Sequence, residues 1–287
     1  DGIRDSSVTG VQTSLPILQP IANTSLLTCQ SPNFVDNSAN NFTITKNGDT
    51  SVQRFSPFSG TTLPTPYYGA YFDGTGDYLS IANNSAFNLG SNDFTIEAWV
   101  YITARSSSGS CFAGTWGASG RGWIWLCTAT TLSFVYSTNG TNETNAPAAT
   151  YTVALNTWTH LAAVRSGNTI TMYANGTSVG SASVTGVTVN NSTQPLYIGA
   201  NKEDIDSGIS NYNMIGYISN ARIVKGTAIY TANFTPSSTI NTSVNNTTLL
   251  LNFTNGSLYD FTTNNEVITV GSTQLRTTVT KYNPTSI

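Results

Sequence analysis

The chain has 287 residues, 39% of them hydrophobic and 11% aromatic, enough to bury a substantial core. Only 9% are charged, for a formal net charge of −3, so a surface built on Asn, Thr and Ser makes short-range hydrogen bonds rather than a long-range field. The 11 dispersed Lys and Arg argue against a nucleic-acid partner, and no apolar run reaches the length needed to insert into a membrane.

Residues 1–23 carry Pro16 and Pro20 among small polar residues without a period, and read as an N-terminal arm or linker. The alternative is a tether onto a partner subunit. Opening on Asp1 rather than Met suggests a processed or trimmed product. From residue 24 an internal repeat starts. Thr24-Ser25-Leu26-Leu27 matches Thr247-Thr248-Leu249-Leu250, Asp36 to Thr45 matches Asp260 to Thr269, and Val52 to Pro57 matches Val279 to Pro284. Residues 241–287 therefore resemble the start of a second copy, which either continues in tandem or is kept as an extra strand.

The most specific stretch is Tyr71 to Tyr101: strand, Gly-rich turn, strand, polar loop, strand. In its last piece Phe94, Ile96, Ala98 and Val100 share one face, and Thr95, Glu97, Trp99 and Tyr101 the other, the period of a sheet. The Ser106-to-Gly120 region, rich in Ser and Gly, reads as a loop carrying Trp116. Strands follow at Arg121 to Thr128 and Leu132 to Tyr136. A three-stranded meander then runs from Trp158 to Val184, turning at Ser166-Gly167-Asn168 and at Asn175-Gly176, a strong two-residue hairpin signal. Leu196 to Gly199 and Ile215 to Ile223 read as closing strands, and Lys225 to Pro236 as at most a short helical turn.

The order F-D-G-x-G-D-Y-L, D-F-T-I-E-A-W-V, W-T-H-L-A-x-V-R and I-x-M-Y-x-N-G resembles the laminin-G-like, concanavalin A-like jelly-roll family. The resemblance implies an all-β, two-sheet antiparallel sandwich, assigned here to residues 24–240. The T-x-L-L repeat gives it the flavour of modules in marine bacteriophage structural proteins.

The glucanase relatives of that fold carry E-x-D-x-x-E on one strand, and no such spacing occurs here. Glu97 is alone on its strand. His160, the only histidine, sits mid-strand beside Trp158, as a packed histidine does. The chain reads as non-enzymatic. Asp73, Asp77 and Asp93 lie in or beside turns, where they either cap backbone N–H groups or bind a calcium ion. The resemblance favours one rim calcium, with Glu203, Asp204 and Asp206 as a weaker second cluster. Four loop aromatics, Tyr67, Tyr68, Trp116 and Tyr212, either pack on their own loops or stack against a glycan. Trp99, Trp123, Trp125 and Trp158 lie on strands and are expected in the core. Cys29, Cys111 and Cys127 make no disulfide framework; buried free thiols are expected, with a Cys111–Cys127 bridge as the alternative.

The reading is a virion structural or adhesion module, a phage fibre or capsid decoration protein on the particle surface. Its partners would be other copies of itself, other virion proteins, and host-surface glycans. A secreted or cell-surface lectin is the alternative, and a glycoside hydrolase the third.

Overall fold

The computed structural model describes residue 40 and residues 42–53, 69–239 and 241–251. The arm, Cys29, Tyr67, Tyr68, the first T-x-L-L segment and the second copy past residue 251 lie outside the described residues. The first half of the chain forms β1 (Ile44–Asn47), β2 (Ser51–Gln53), β3 (Gly69–Asp73), β4 (Tyr78–Ile81), β5 (Phe94–Arg105), β6 (Ser110–Gly114), β7 (Trp123–Cys127) and β8 (Thr131–Tyr136). The second forms β9 (Thr144–Thr150), β10 (Thr159–Ser166), β11 (Thr169–Ala174), β12 (Thr177–Ser183), β13 (Leu196–Ile198), α1 (Lys202–Ser207), β14 (Met214–Lys225) and β15 (Thr247–Leu251).

Two antiparallel sheets result. One has seven strands in the order β1-β4-β13-β6-β7-β8-β9. The other has eight, β12-β11-β10-β5-β14-β3-β2, with β15 also paired to β14. β14 pairs with β5 along one side; on its other side Ile215–Ile218 pair with β3 and Ala221–Val224 with β15. Sandwich architecture follows from alternation, because each sheet has one aliphatic or aromatic face to bury against the other.

Phe94, Ile96, Ala98, Val100 and Ile102 of β5 point into that core, opposite Trp123, Trp125 and Phe134 of the seven-stranded sheet. Leu249 and Leu251 of β15 join the same core at 0% exposure. Burial of such side chains is worth roughly 1.5–3 kcal/mol each, so this T-x-L-L segment stabilises the sandwich as an extra strand. The β11–β12 turn takes the expected left-handed form, with φ of 48° at Asn175 and 78° at Gly176. A Cβ at Gly176 would collide with the Phe234 carbonyl, whose own N–H donates to the Gly176 oxygen at 2.8 Å.

Two expectations are corrected, those for the strand tryptophans and for the Ser106–Gly120 loop, and the other segments fall as follows. Trp99 and Trp158 are not in the core; they are half-buried on the outer face of the eight-stranded sheet, because Trp99 alternates with the aliphatic residues that face inward. The Ser106–Gly120 loop contains β6, whose five residues are all buried, so small size and burial on both faces erase the alternation. Glu203–Asp206 is helical, with the Asn201 side chain accepting from the Asp204 N–H and Gly208 closing the turn in the left-handed region. Residues 226–239 make no helix. They lie on the outer face of the eight-stranded sheet, where Ala228, Tyr230 and Phe234 pack on Ala162, Val164 and Tyr173. Cys111 and Cys127 are both buried and unbridged. Their strands place them on opposite faces, Cys127 in the main core and Cys111 in a cluster on the outer side. Among the described residues no helix is long and apolar enough to cross a membrane.

Candidate functional site

Two regions gather side chains that could do more than hold the fold. The first is the outer face of the eight-stranded sheet. Tyr217 of β14 lies opposite Tyr71 of β3 on one side and Tyr101 of β5 on the other. Directly opposed residues share a face, so the three rings form a row: centroids are 5.0 Å apart for Tyr71–Tyr217 and 6.1 Å for Tyr101–Tyr217. Trp158 closes the patch at 5.6 Å from Tyr101 and 6.4 Å from Tyr217. All four rings are half-buried. The signal for the patch lies in the alternation of β5: the face that does not carry Phe94 and Ile96 carries Trp99 and Tyr101.

Further along the same face stands Glu97, 1% exposed. Arg222 donates to its Oε1 through Nε at 2.8 Å and Nη2 at 2.5 Å. The Tyr230 hydroxyl donates to Oε2 at 2.8 Å, and His160 Nε2 stands 3.0 Å from the same oxygen. Burial pushes the Glu97 carboxyl up, but the His160 hydrogen bond and the Arg222 charge outweigh it and hold the group below its ordinary range. His160 is 2% exposed, edge-on to Trp99 and Phe234, a packed histidine with an acid partner.

The second region is at the rim. β1 and β4 are neighbours in one sheet, β2 and β3 in the other, so the β1–β2 and β3–β4 turns both cross between sheets side by side. The crossing brings Asp49, Asp73 and Asp77 together, with carboxylate oxygens all within 4.8 Å of one another. Asp77 Oδ2 accepts the Asp73 N–H at 2.9 Å, and Asp73 Oδ1 accepts the Thr75 N–H at 2.6 Å. Asp77 is 0% exposed and its Oδ1 has no hydrogen-bond partner. Burial pushes the Asp77 carboxyl up to about 6; the Asp73 N–H pulls against that, and the Asp49 carboxyl adds to it. Among the described residues no Lys or Arg forms an ion pair with any of the three.

Asp93 is not part of this group. Ile215 faces both Asp73 and Ala104, whereas Phe94 at the other end of β5 faces Lys225, so Asp93 is roughly 30 Å along the strand from Asp73 at ~3.3 Å per residue. There it ties a turn, its Oδ1 accepting the Gly167 N–H at 2.7 Å. The second acidic cluster is already partnered. Glu203 takes Arg121 at 2.7 and 3.0 Å, Asp204 accepts the Tyr212 N–H at 2.9 Å, and Asp206 pairs with Lys202. Trp116 and Tyr212 do fall in one cluster, with Cys111, Ile124 and Leu126 on the outer side of the seven-stranded sheet. Trp116 is 5% exposed, with the Arg121 guanidinium 5.3 Å from its ring centroid, so its ring is used in packing. Tyr67 and Tyr68 lie outside the described residues.

Comparison with known proteins gives one family and a set of structures. Residues 73–229 match the Laminin_G_3 family, described as the concanavalin A-like lectin/glucanases superfamily. No curated protein matches the chain by sequence. Among solved structures, the binding domain of botulinum neurotoxin DC in complex with rat synaptotagmin II is 16% identical, with a TM-score of 0.50, over 68% of this chain and 46% of that one. The binding domain of Paraclostridial Mosquitocidal Protein 1 is 13% identical with a TM-score of 0.49, over 69% and 49%. Domain 4 of AbnA, an extracellular arabinanase from Geobacillus stearothermophilus, in complex with arabinotriose, is 17% identical with a TM-score of 0.46, over 67% and 89%. This chain thus spans about half the length of the two toxin binding domains, and the likeness is one of fold.

Proposed function

The chain belongs to the concanavalin A-like lectin/glucanases superfamily, and on that premise we propose that it is a non-catalytic carbohydrate-binding module displayed on the surface of a virus particle. The observation that carries the binding reading is the four-ring patch of Tyr71, Tyr101, Tyr217 and Trp158. Sugar rings offer apolar C–H faces that pack on aromatic rings, while hydroxyls at their edges meet the polar tips of Tyr and Trp. Three of its rings are fixed on the adjacent strands β3, β14 and β5, so the patch costs little ordering at binding. The non-catalytic part is supported by Glu97, whose oxygens are taken up by Arg222, His160 and Tyr230 and whose proton affinity is lowered, the reverse of what a general acid needs.

Display on a particle is supported by the sequence: low charge, an Asn/Thr-rich surface and a repeated segment suit a unit that packs beside other copies or other virion proteins. Proteomics of the source particle should find this chain in many copies, and its recovery only as a free secreted protein would count against display. For binding, a glycan array should give selective hits that fall at least tenfold on Tyr217→Ala or Trp158→Ala and persist in Trp116→Phe. No hit with the folded wild-type chain, or equal loss in Trp116→Phe, would sink the sugar reading.

A further inference from the structure

We infer that residues 24–27 are the closing strand of a neighbouring sandwich of this same kind, pairing with that neighbour's β14 where β15 pairs in this one. The inference rests on the repeat and on the strand pairing. It stands whether or not the aromatic patch binds a glycan or the chain sits on a virion.

The structure fixes which end of a sandwich the T-x-L-L segment belongs to. Its second copy lies in β15, the last strand among the described residues. There Ala221, Arg222 and Ile223 of β14 face Leu251, Leu250 and Leu249, and Leu249 and Leu251 have no exposed surface. The segment therefore closes a sandwich. The blocks that follow it in the repeat open one. Ile44 and Thr45, matched by Ile268 and Thr269, start β1, and Val52, matched by Val279, lies in β2. Asn40, matched by Asn264, ties the two ends of this unit together, its Nδ2 donating to the Thr247 and Thr248 carbonyls at 3.4 and 3.0 Å. The repeat is thus a junction, a closing strand followed by two opening strands. Its two copies lie roughly 220 residues apart, the length of one large β-sandwich.

Each of these positions exists once in the sandwich. On the side of β14 away from β5, β3 takes one stretch and β15 the other; β1 and β2 take their places on β4 and β3. The closing position is filled by the second copy of the repeat, and the opening positions by the first. Thr24-Ser25-Leu26-Leu27 is left without its position at home, and a neighbouring sandwich of the same kind offers that position on its own β14. The repeat equates Leu26 with Leu249 and Thr28 with Leu251, so in that place Leu26 turns into the core and Ser25 and Leu27 away from it. A strand added to another sheet draws affinity from main-chain hydrogen bonds and register from the alternate side chains that enter pockets. The uncharged run from Thr24 to Gln30 suits such an addition. The contact is head-to-tail, since the closing strand of one unit leads into the opening strands of the next. Repeated, it builds a row rather than a closed pair.

The test uses the full chain and acts through β15. Thr248→Ser combined with Leu251→Thr gives β15 the sequence of residues 24–28. That chain should fold, and its melting temperature should fall less than that of Leu249→Asp, which puts a charge where β15 enters the core. Leu249→Asp also vacates the closing position, so residues 24–27 of one copy can fill it in another. Analytical ultracentrifugation of that variant, with its fold checked by circular dichroism, should show assemblies larger than the wild type's that grow with protein concentration. Adding Leu26→Asp should abolish them. Leu249→Ala serves in its place if the charged variant does not fold. Assemblies no larger than the wild type's, or ones that survive Leu26→Asp, would overturn the inference. So would a combined Thr248→Ser, Leu251→Thr chain as unstable as Leu249→Asp.

Discussion

Glu97 and Asp77 are both removed from water, at 1% and 0% exposure, yet their surroundings are opposite. Glu97 sits mid-strand with both oxygens engaged by a guanidinium, an imidazole and a phenol. Asp77 sits at a turn with one oxygen engaged by a backbone N–H and two more acids at hand. Burial pushes both carboxyls up; at Glu97 the cationic and hydrogen-bonding partners reverse the push, at Asp77 they do not. A buried charge that is fully paired has no capacity left for a ligand. One that is left short is where the chain can still accept something. The same contrast separates the two acidic clusters at the rims, since Glu203 and Asp206 have their own cations and, among the described residues, Asp49, Asp73 and Asp77 have none.

The strongest way to break the contrast is to make Glu97 resemble Asp77. Arg222→Ala leaves the buried carboxylate without its guanidinium, and loss of one member of a buried pair costs about 3–5 kcal/mol. Denaturant unfolding should show that loss, and Glu97→Leu combined with Arg222→Met should recover most of it. A loss within about 0.5 kcal/mol for Arg222→Ala would mean that the buried Glu97 carboxylate does not depend on the guanidinium.

pH offers the next largest effect, with opposite signs at the two sites. Glu97, lowered in the folded state, contributes stability that is present above its unfolded value near 4.5 and lost as pH falls through the folded value. Asp77, raised from 3.8 to about 6, contributes stability that is present below 3.8 and lost as pH rises through about 6. Each tenfold change in proton affinity is worth ~1.4 kcal/mol, so in chelated protein the unfolding free energy should drop between pH 4 and 6 by up to about 3 kcal/mol. Equilibrium denaturation across this window checks it, and a flat profile in chelator would remove Asp77 from the contrast.

How much of this is legible in the sequence depends on how local the signal is. The β5 alternation, the Asn175-Gly176 hairpin and the closing strand β14 are readable because each is set by neighbours in sequence. β6 and β9 are not, since Ser110–Gly114 is buried on both faces and Thr144–Thr150 has neither a strong period nor β-branched bulk. The rim site divides in the same way. Asp73 and Asp77 are visible from their turn, but closeness in sequence wrongly groups Asp93 with them, although β5 carries the chain from one end of the sheet to the other. Asp49 escapes a sequence reading because only the pairing of β1 with β4 and β2 with β3 brings its turn alongside. The aromatic patch is hidden by the expectation that tryptophans on strands face inward, although the aliphatic face of β5 already names the core.

A smaller cut tests whether Glu97 is saturated or merely paired. Tyr230→Phe removes one donor from Oε2 and keeps the ring, which stacks on Phe234 with centroids 3.5 Å apart. Hydrogen bonds to charged groups are worth about 1.5–3 kcal/mol, and with His160 still on the same oxygen the loss should fall at the low end, near 1.5 kcal/mol. No change in urea unfolding would show that Arg222 and His160 suffice.

The smallest expected effect is the most discriminating. Asp49 is exposed, and surface substitutions away from buried networks change stability by within about 0.5 kcal/mol. In chelator, Asp49→Asn should therefore unfold like the wild type, or slightly later, because it removes a negative neighbour from Asp77. Urea unfolding at pH 7 checks this, and a loss well beyond about 0.5 kcal/mol for Asp49→Asn would mean that the β1–β2 turn is held by Asp49 itself, so that the two buried acids differ only in how well the protein pairs them.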